Sequence, residues 1–240
     1  MARETLVLLP GMMCDARLFT PQIEAFGKTY DVIVPELEEP SIKAMAQGVL
    51  AGAPPGPLNI AGLSMGGIVA MAMTGIAPER IERLALLDTN HLADAPERFD
   101  IRNRQIEDVR AGRLRSVIVD EMKPVYLAMA NRSNQALLDL LVEMAMDVGD
   151  ETFVAQSIAL RDRPGQAAAL RSYTGPSLVL CGEEDNLCPP DRHREIAGLL
   201  PDPDLVFISG AGHISTLENP AEVNAAMSRW LSRSPAHAAP

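Results

Sequence analysis

The segment Gly62-Leu63-Ser64-Met65-Gly66 constrains this chain more than any other. An apolar run, Leu58 to Leu63, leads into it, and a run of small and apolar residues, Gly67 to Thr74, leads out. A serine between two glycines, with a strand-like stretch before and a helix-like stretch after, describes a tight strand-to-helix turn. The glycines leave room where a Cβ would strike neighbouring backbone, so the turn can close and hold Ser64 in a strained conformation. Its hydroxyl then stands clear of a sheet at a helix N-terminus.

The rest of the chain fits such a turn. Short apolar runs recur at Thr5 to Leu9, Asp31 to Val34, Leu58 to Leu63, Leu84 to Asp88, Ser177 to Cys181 and Leu205 to Ile208. Most are continuous rather than alternating, as in parallel strands covered on both faces. Helical patterns lie between them at Phe19 to Phe26, Ile42 to Leu50, Gly67 to Thr74 and Arg192 to Leu200, and a last one at Ala221 to Arg233 is preceded by the capping pair Asn219-Pro220. The alternation predicts an α/β fold with a doubly wound, mostly parallel sheet. From His91 to Tyr173 no strand is evident, and the interval is too long for one crossover. It reads as an inserted helical cap of three or four helices. The expected organisation is a core over 1–90 and 174–233, a cap (lid) over 91–173 and a flexible tail over 234–240.

Composition narrows the function classes. A net charge of −11 over 240 residues lacks the basic footprint that general nucleic-acid binding requires. Three cysteines, Cys14, Cys181 and Cys188, do not make a disulfide framework. The first apolar run is too short for a secretory signal, and no run is long enough to span a membrane, so the expected location is cytoplasmic. There is no metal-ligand cluster, dinucleotide motif or phosphate loop, and neither a metal nor a cofactor is expected.

A serine hydroxyl needs a base to take its proton, and the base needs a carboxylate to fix its tautomer. Parallel strands end on one edge, where ligands bind. His213 follows the run Leu205 to Ile208, and Asp185 follows Ser177 to Cys181. Both should therefore share an edge with Ser64. Glu183, Glu184 and Asp88 compete with Asp185 by proximity. Developing charge on a carbonyl oxygen requires fixed N–H donors. The amides of Met65 and of the Pro10-Gly11-Met12 turn are placed to supply them.

The chain order Ser64, Asp185, His213, together with Gly62 to Gly66, Gly182 to Asp185, and Gly212-His213 followed by Glu218-Asn219-Pro220, resembles the α/β-hydrolases. It resembles in particular the small capped members: esterases, enol-lactonases, carbon–carbon bond hydrolases and non-haem haloperoxidases. The resemblance spans nearly the whole chain. It implies a Ser64–His213–Asp185 triad, an oxyanion hole from the amides of Met12 and Met65, and a sheet that starts at the family's third strand, in the order 4-3-5-6-7-8. Pro10-Gly11 stands where many members have His-Gly.

The implied activity is a carboxylesterase-like serine hydrolase that cleaves a small to medium acyl ester through an acyl-enzyme. The same triad serves thioesterases, lactonases, carbon–carbon bond hydrolases and acyltransferases, and the fold also serves binding proteins without turnover. For the acyl pocket the sequence offers Met13, His91, Met122, Met129, Met144, Met146 and Cys188. Arg98, Arg102, Arg104, Arg110, Arg113 and Arg115 read either as a solvated, ion-paired face or as a dock for an anionic, carrier-bound acyl substrate.

Overall fold

Each of the six apolar runs becomes a strand, because side chains that alternate across a strand meet a helical layer on either face. The computed structural model describes residues 3–234. In chain order the elements are β1 (Thr5–Leu9), α1 (Thr20–Phe26), β2 (Asp31–Ile33), α2 (Ile42–Gly52), β3 (Leu58–Leu63), α3 (Met65–Ile76) and β4 (Ile81–Leu87). The insertion follows with α4 (Arg98–Arg110), α5 (Leu114–Ser116), α6 (Gln135–Arg161) and α7 (Ala167–Ser172). The chain then returns through β5 (Ser177–Gly182), α8 (Pro190–Leu199), β6 (Pro203–Ile208), α9 (Ser215–Glu218) and α10 (Pro220–Leu231). The expected tail, apart from Ser234, lies outside the described residues.

The sheet order is β2-β1-β3-β4-β5-β6, and among the described residues every pairing is parallel. Val7, Leu9 and Ile60 face one core, with Met45 of α2, Ile68 of α3, Leu170 of α7 and Ile196 of α8. Leu6, Leu8 and Leu63 face the other, with Phe26 of α1 and Val223 and Trp230 of α10. This is the doubly wound arrangement. Its consequence for function is that the loops after β1, β3, β4, β5 and β6 all open on one edge.

β4 begins at Ile81, three residues before its apolar run, because Glu82 and Arg83 interrupt the pattern. Arg83 is nonetheless buried; its guanidinium donates to Asn59 Oδ1 at 2.7 Å and to Glu4 Oε2 at 3.1 Å. At the sheet edge, β6 begins at Pro203 with exposed residues that hide it from hydropathy. Among the described residues the insertion between β4 and β5 contains helices and loops but no strand, and its helices α4 to α6 form the cap. Val117–Met122 winds as a π-helix, and α6 breaks at Gly149, whose φ of 86° favours a residue without a Cβ.

Candidate active site

The turn from β3 into α3 holds Ser64 at φ 54°, ψ −115°, a conformation that L-residues rarely adopt. Close backbone packing enforces it. A Cβ on Gly62 would lie 2.3 Å from the Gly66 carbonyl oxygen, and one on Gly66 would lie 2.0 Å from the Leu9 carbonyl oxygen. The Ser64 amide donates to Leu87 O at 2.9 Å, and its carbonyl accepts from Thr89 Oγ1 at 2.6 Å. The strained residue is thus over-determined by both neighbouring strands.

Across the edge, His213 Nε2 lies 2.9 Å from Ser64 Oγ, and its Nδ1 lies 2.8 Å from Asp185 Oδ2. The other Asp185 oxygen accepts the amides of Leu187 and Cys188 at 2.8 and 2.9 Å. An ionised Asp185 therefore selects the tautomer with hydrogen on Nδ1, which leaves Nε2 as the acceptor for the serine proton. Burial alone would lower the His213 pKa, but the Asp185 charge and hydrogen bond outweigh it and leave the group raised above 6.5. Glu183 and Glu184 are exposed, and the Glu184 carboxylate accepts the Met129 amide instead.

Further side chains hold this line in place, and the supporting roles of Tyr126 and His193 carried no signal in the sequence. The Tyr126 ring stands edge-on to the His213 imidazole at 5.4 Å, and its carbonyl accepts the His213 amide at 2.7 Å. Glu218 accepts the amides of Gly212 and Ala128, both at 2.8 Å, and so ties the histidine loop to the cap. Asp88, at φ 45°, accepts the Gly182 amide at 2.8 Å and lies 2.5 Å from Ser215 Oγ, bridging the acid loop and the histidine loop. Burial and the neighbouring Asp185 charge push its pKa up to about 8. His193, on α8, is fully buried and accepts the Thr89 amide at 2.9 Å. Burial lowers its pKa to about 4, which keeps it the neutral acceptor that this bond needs.

At the β1 turn the Met13 amide donates to Gln156 Oε1 at 2.9 Å, and Gln156 Nε2 donates to Leu37 O at 2.8 Å. Gln156, on α6, thereby fixes the turn from above. Among the described residues the amides of Met12 and Met65 have no such acceptor. Both residues line a cavity of about 560 Å³ together with Ser64 and His213.

The cavity corrects most of the expected pocket. Met122 and Cys188 line it, but Met13, His91, Met129, Met144 and Met146 do not. Met13 and Met144 are fully buried in the two cores, Met129 is 73% exposed, and Met146 faces solvent at the α6 surface. His91 is buried beside α7, where its carbonyl accepts the Gln166 amide. Helical spacing gave these residues a helix but not a face. The walls are instead supplied by Ile68, Leu160 and Leu187 and by a set of arginines.

Asp185, Cys188 and His213 bring donor atoms within 4.8 Å of one another, as do Asp88, Cys181 and Asp185. Burial raises both thiols, away from the thiolate a metal would need. The carboxylates already accept backbone and imidazole hydrogens, so these clusters are packing around the Ser–His–Asp line.

Residues 6–226 match the family model described as "Alpha/beta hydrolase family". The chain belongs to that family. This α/β-hydrolase superposes on a thermophilic esterase from Thermogutta terrifontis with a TM-score of 0.87, at 28% identity over 95% of this chain and 89% of the other. It superposes on the enol-lactonase from Burkholderia xenovorans with the same TM-score, at 21% identity over 97% and 93%. In sequence it is 28% identical over 175 residues to the dihydrolipoyllysine-residue acetyltransferase component of an acetoin cleaving system from Pseudomonas putida. That match covers 72% of the α/β-hydrolase chain and 45% of the longer relative. Among the described residues no helix is long and apolar enough to cross a membrane.

Proposed function

We propose that the chain hydrolyses carboxylic esters of small to medium acyl groups through an acyl-enzyme on Ser64. The observation that carries this reading is the unbroken line Ser64 Oγ, His213 Nε2, His213 Nδ1, Asp185 Oδ2 at hydrogen-bonding distances, with Ser64 held in a strained turn at the cavity wall. Ser64 Oγ attacks the ester carbon while His213 Nε2 takes its proton. The carbonyl oxygen gains charge and is met by the amides of Met12 and Met65, the latter at the N-terminus of α3. The ester C–O bond breaks, and His213 returns the proton to the departing alkoxide. Water, deprotonated by the same nitrogen, then releases the acid and restores Ser64. The likeness to the Thermogutta esterase supports this reading, and the cavity volume suits a small ligand.

The test is direct. Ser64→Ala should lower kcat on short-chain esters by at least about 10³-fold with the fold intact. A fluorophosphonate probe should label the Ser64 peptide of the unsubstituted protein. Activity retained in Ser64→Ala, or a label elsewhere, overturns the reading.

A further inference from the structure

The wall of this cavity carries more positive charge than it neutralises. Five arginines line it, Arg98, Arg102, Arg104, Arg163 and Arg192, against two carboxylates, Asp94 and Glu121. Arg104 is matched by Glu121 at 2.7 Å, and Arg192 by Glu195 at 2.7 Å. Arg102 and Arg163 share one partner: Asp94 Oδ2 holds Arg102, and Oδ1 holds Arg163 at 2.9 Å. The two arginines are only 7% and 8% exposed. Two cations against one anion leave an uncompensated positive charge in a place mostly removed from water. Burial accordingly pulls Arg163 below its ordinary pKa, against the pull of Asp94.

Arg98 lies one turn before Arg102 on α4 and is exposed at the cavity. Among the described residues it has no ion pair and no side-chain hydrogen bond. Its charge nonetheless reaches inward: burial raises Tyr126 and Cys188, and Arg98 is among the charges that hold both back. Tyr126 packs on His213, and Cys188 donates its amide to Asp185. The free guanidinium shares the cavity wall with Ser64 and His213. The buried excess lies beside it, in Arg102 and Arg163, and a buried charge without a full partner is costly unless a counter-charge arrives.

We propose that the substrate at this site carries a carboxylate of its own, received by Arg98 beside the Arg102–Asp94–Arg163 cluster. On the acyl-enzyme reading above, the substrate class is a monoester of a short dicarboxylic acid. The excess charge lies inside a cavity of about 560 Å³, on a chain whose net charge is −11. That placement favours a small anion that enters over an acidic carrier protein that must dock on the outer surface.

Two probes isolate the carboxylate. Monomethyl glutarate and methyl valerate have acyl chains of equal length and differ in a terminal carboxylate or methyl. The enzyme should prefer monomethyl glutarate by about tenfold or more in kcat/KM, and Arg98→Gln should reduce that preference by about 10- to 100-fold, as expected for one charge-assisted pair. Arg98 is exposed, so the variant keeps its fold, which a melting curve verifies. A second arm needs no turnover: glutarate should bind Ser64→Ala in a calorimetric titration, and at least about tenfold more weakly when Arg98→Gln is added. A preference for methyl valerate, or a preference unaltered by Arg98→Gln, overturns the carboxylate subsite and leaves ester hydrolysis standing. Glutarate binding that is absent, or indifferent to Arg98→Gln, overturns the subsite as well. Arg98-dependent glutarate binding with neither ester cleaved supports the subsite and overturns the ester reading alone.

Discussion

Asp185 acts on His213 in two ways that a single substitution separates. It sets the tautomer, and it raises the imidazole pKa against the lowering effect of burial. Protonated His213 cannot accept the serine proton, so activity is lost as pH falls through that raised value. Asp185→Asn should cut kcat by about 10³- to 10⁴-fold. Burial, the largest influence, is then joined by the Lys123 charge and opposed only by the smaller pull of Asp88, so the acid limb of the residual kcat/KM should shift to lower pH, below the ordinary 6.5. A profile from about pH 5 to pH 9 checks this; a limb that stays put would mean that another acid supports the histidine. Glu184→Gln is the control, since that carboxylate holds the exposed Met129 amide and should leave turnover near its starting value. Asp88 gives the opposite expectation. Burial and the neighbouring Asp185 charge push its pKa up and favour its neutral form. Asp88→Asn imitates that state and should cost less than about tenfold in kcat, whereas Asp88→Leu strands the Gly182 amide and Ser215 Oγ and should cost about 1–3 kcal/mol of stability in denaturant melts.

At the level of elements, the site depends on two approaches of backbone to backbone. The first is the crossing of the Ser64 turn with β1. Gly66→Ala would place a methyl 2.0 Å from the Leu9 carbonyl oxygen, with main chain on both sides and nowhere to yield. The expected cost is about 3 kcal/mol or more, read as a melting temperature lower by roughly 6–12 °C and lost activity. The second is the hold of the cap on the β1 turn. Gln156→Leu removes the acceptor of the Met13 amide and the donor to Leu37 O, both in buried positions. It should loosen the turn that presents the Met12 amide. Since that amide is assigned to the charged intermediate rather than to bound substrate, kcat should fall by roughly 10- to 100-fold with KM little altered. A KM effect alone would place Gln156 in binding instead. The first element was legible because two glycines flank the serine at fixed spacing. The second was not, because a glutamine in a helical run has no local mark, and its partner Met13 is 143 positions away.

Across the whole molecule, what could be read from the sequence is what local pattern encodes: six apolar runs, the helical interval after β4, and polar residues just beyond strand ends. Parallel topology then brings Ser64, Asp185 and His213 to one edge with no further information. What could not be read is which side chains face the cavity. Met144 and Met129 share a helical interval and a composition with Met122, yet one is core and one is surface. Asp94 marks nothing until folding sets Arg102 and Arg163 around it. The global charge adds a final expectation. A chain of net charge −11 repels an incoming anion at long range, while the arginines of the cavity attract it at short range. Salt screens the first before the second, since the Debye length falls from about 30 Å at 0.01 M to about 8 Å at 0.15 M. For monomethyl glutarate, kcat/KM should therefore rise on going from about 0.01 M to 0.15 M salt and fall again toward 1 M, where contacts of about 3 Å are screened too. For methyl valerate it should stay nearly flat over the same range. A monotonic fall for the anionic ester would show that the cavity mouth outweighs the net charge at all distances; a flat response to both esters would show that no carboxylate meets these arginines.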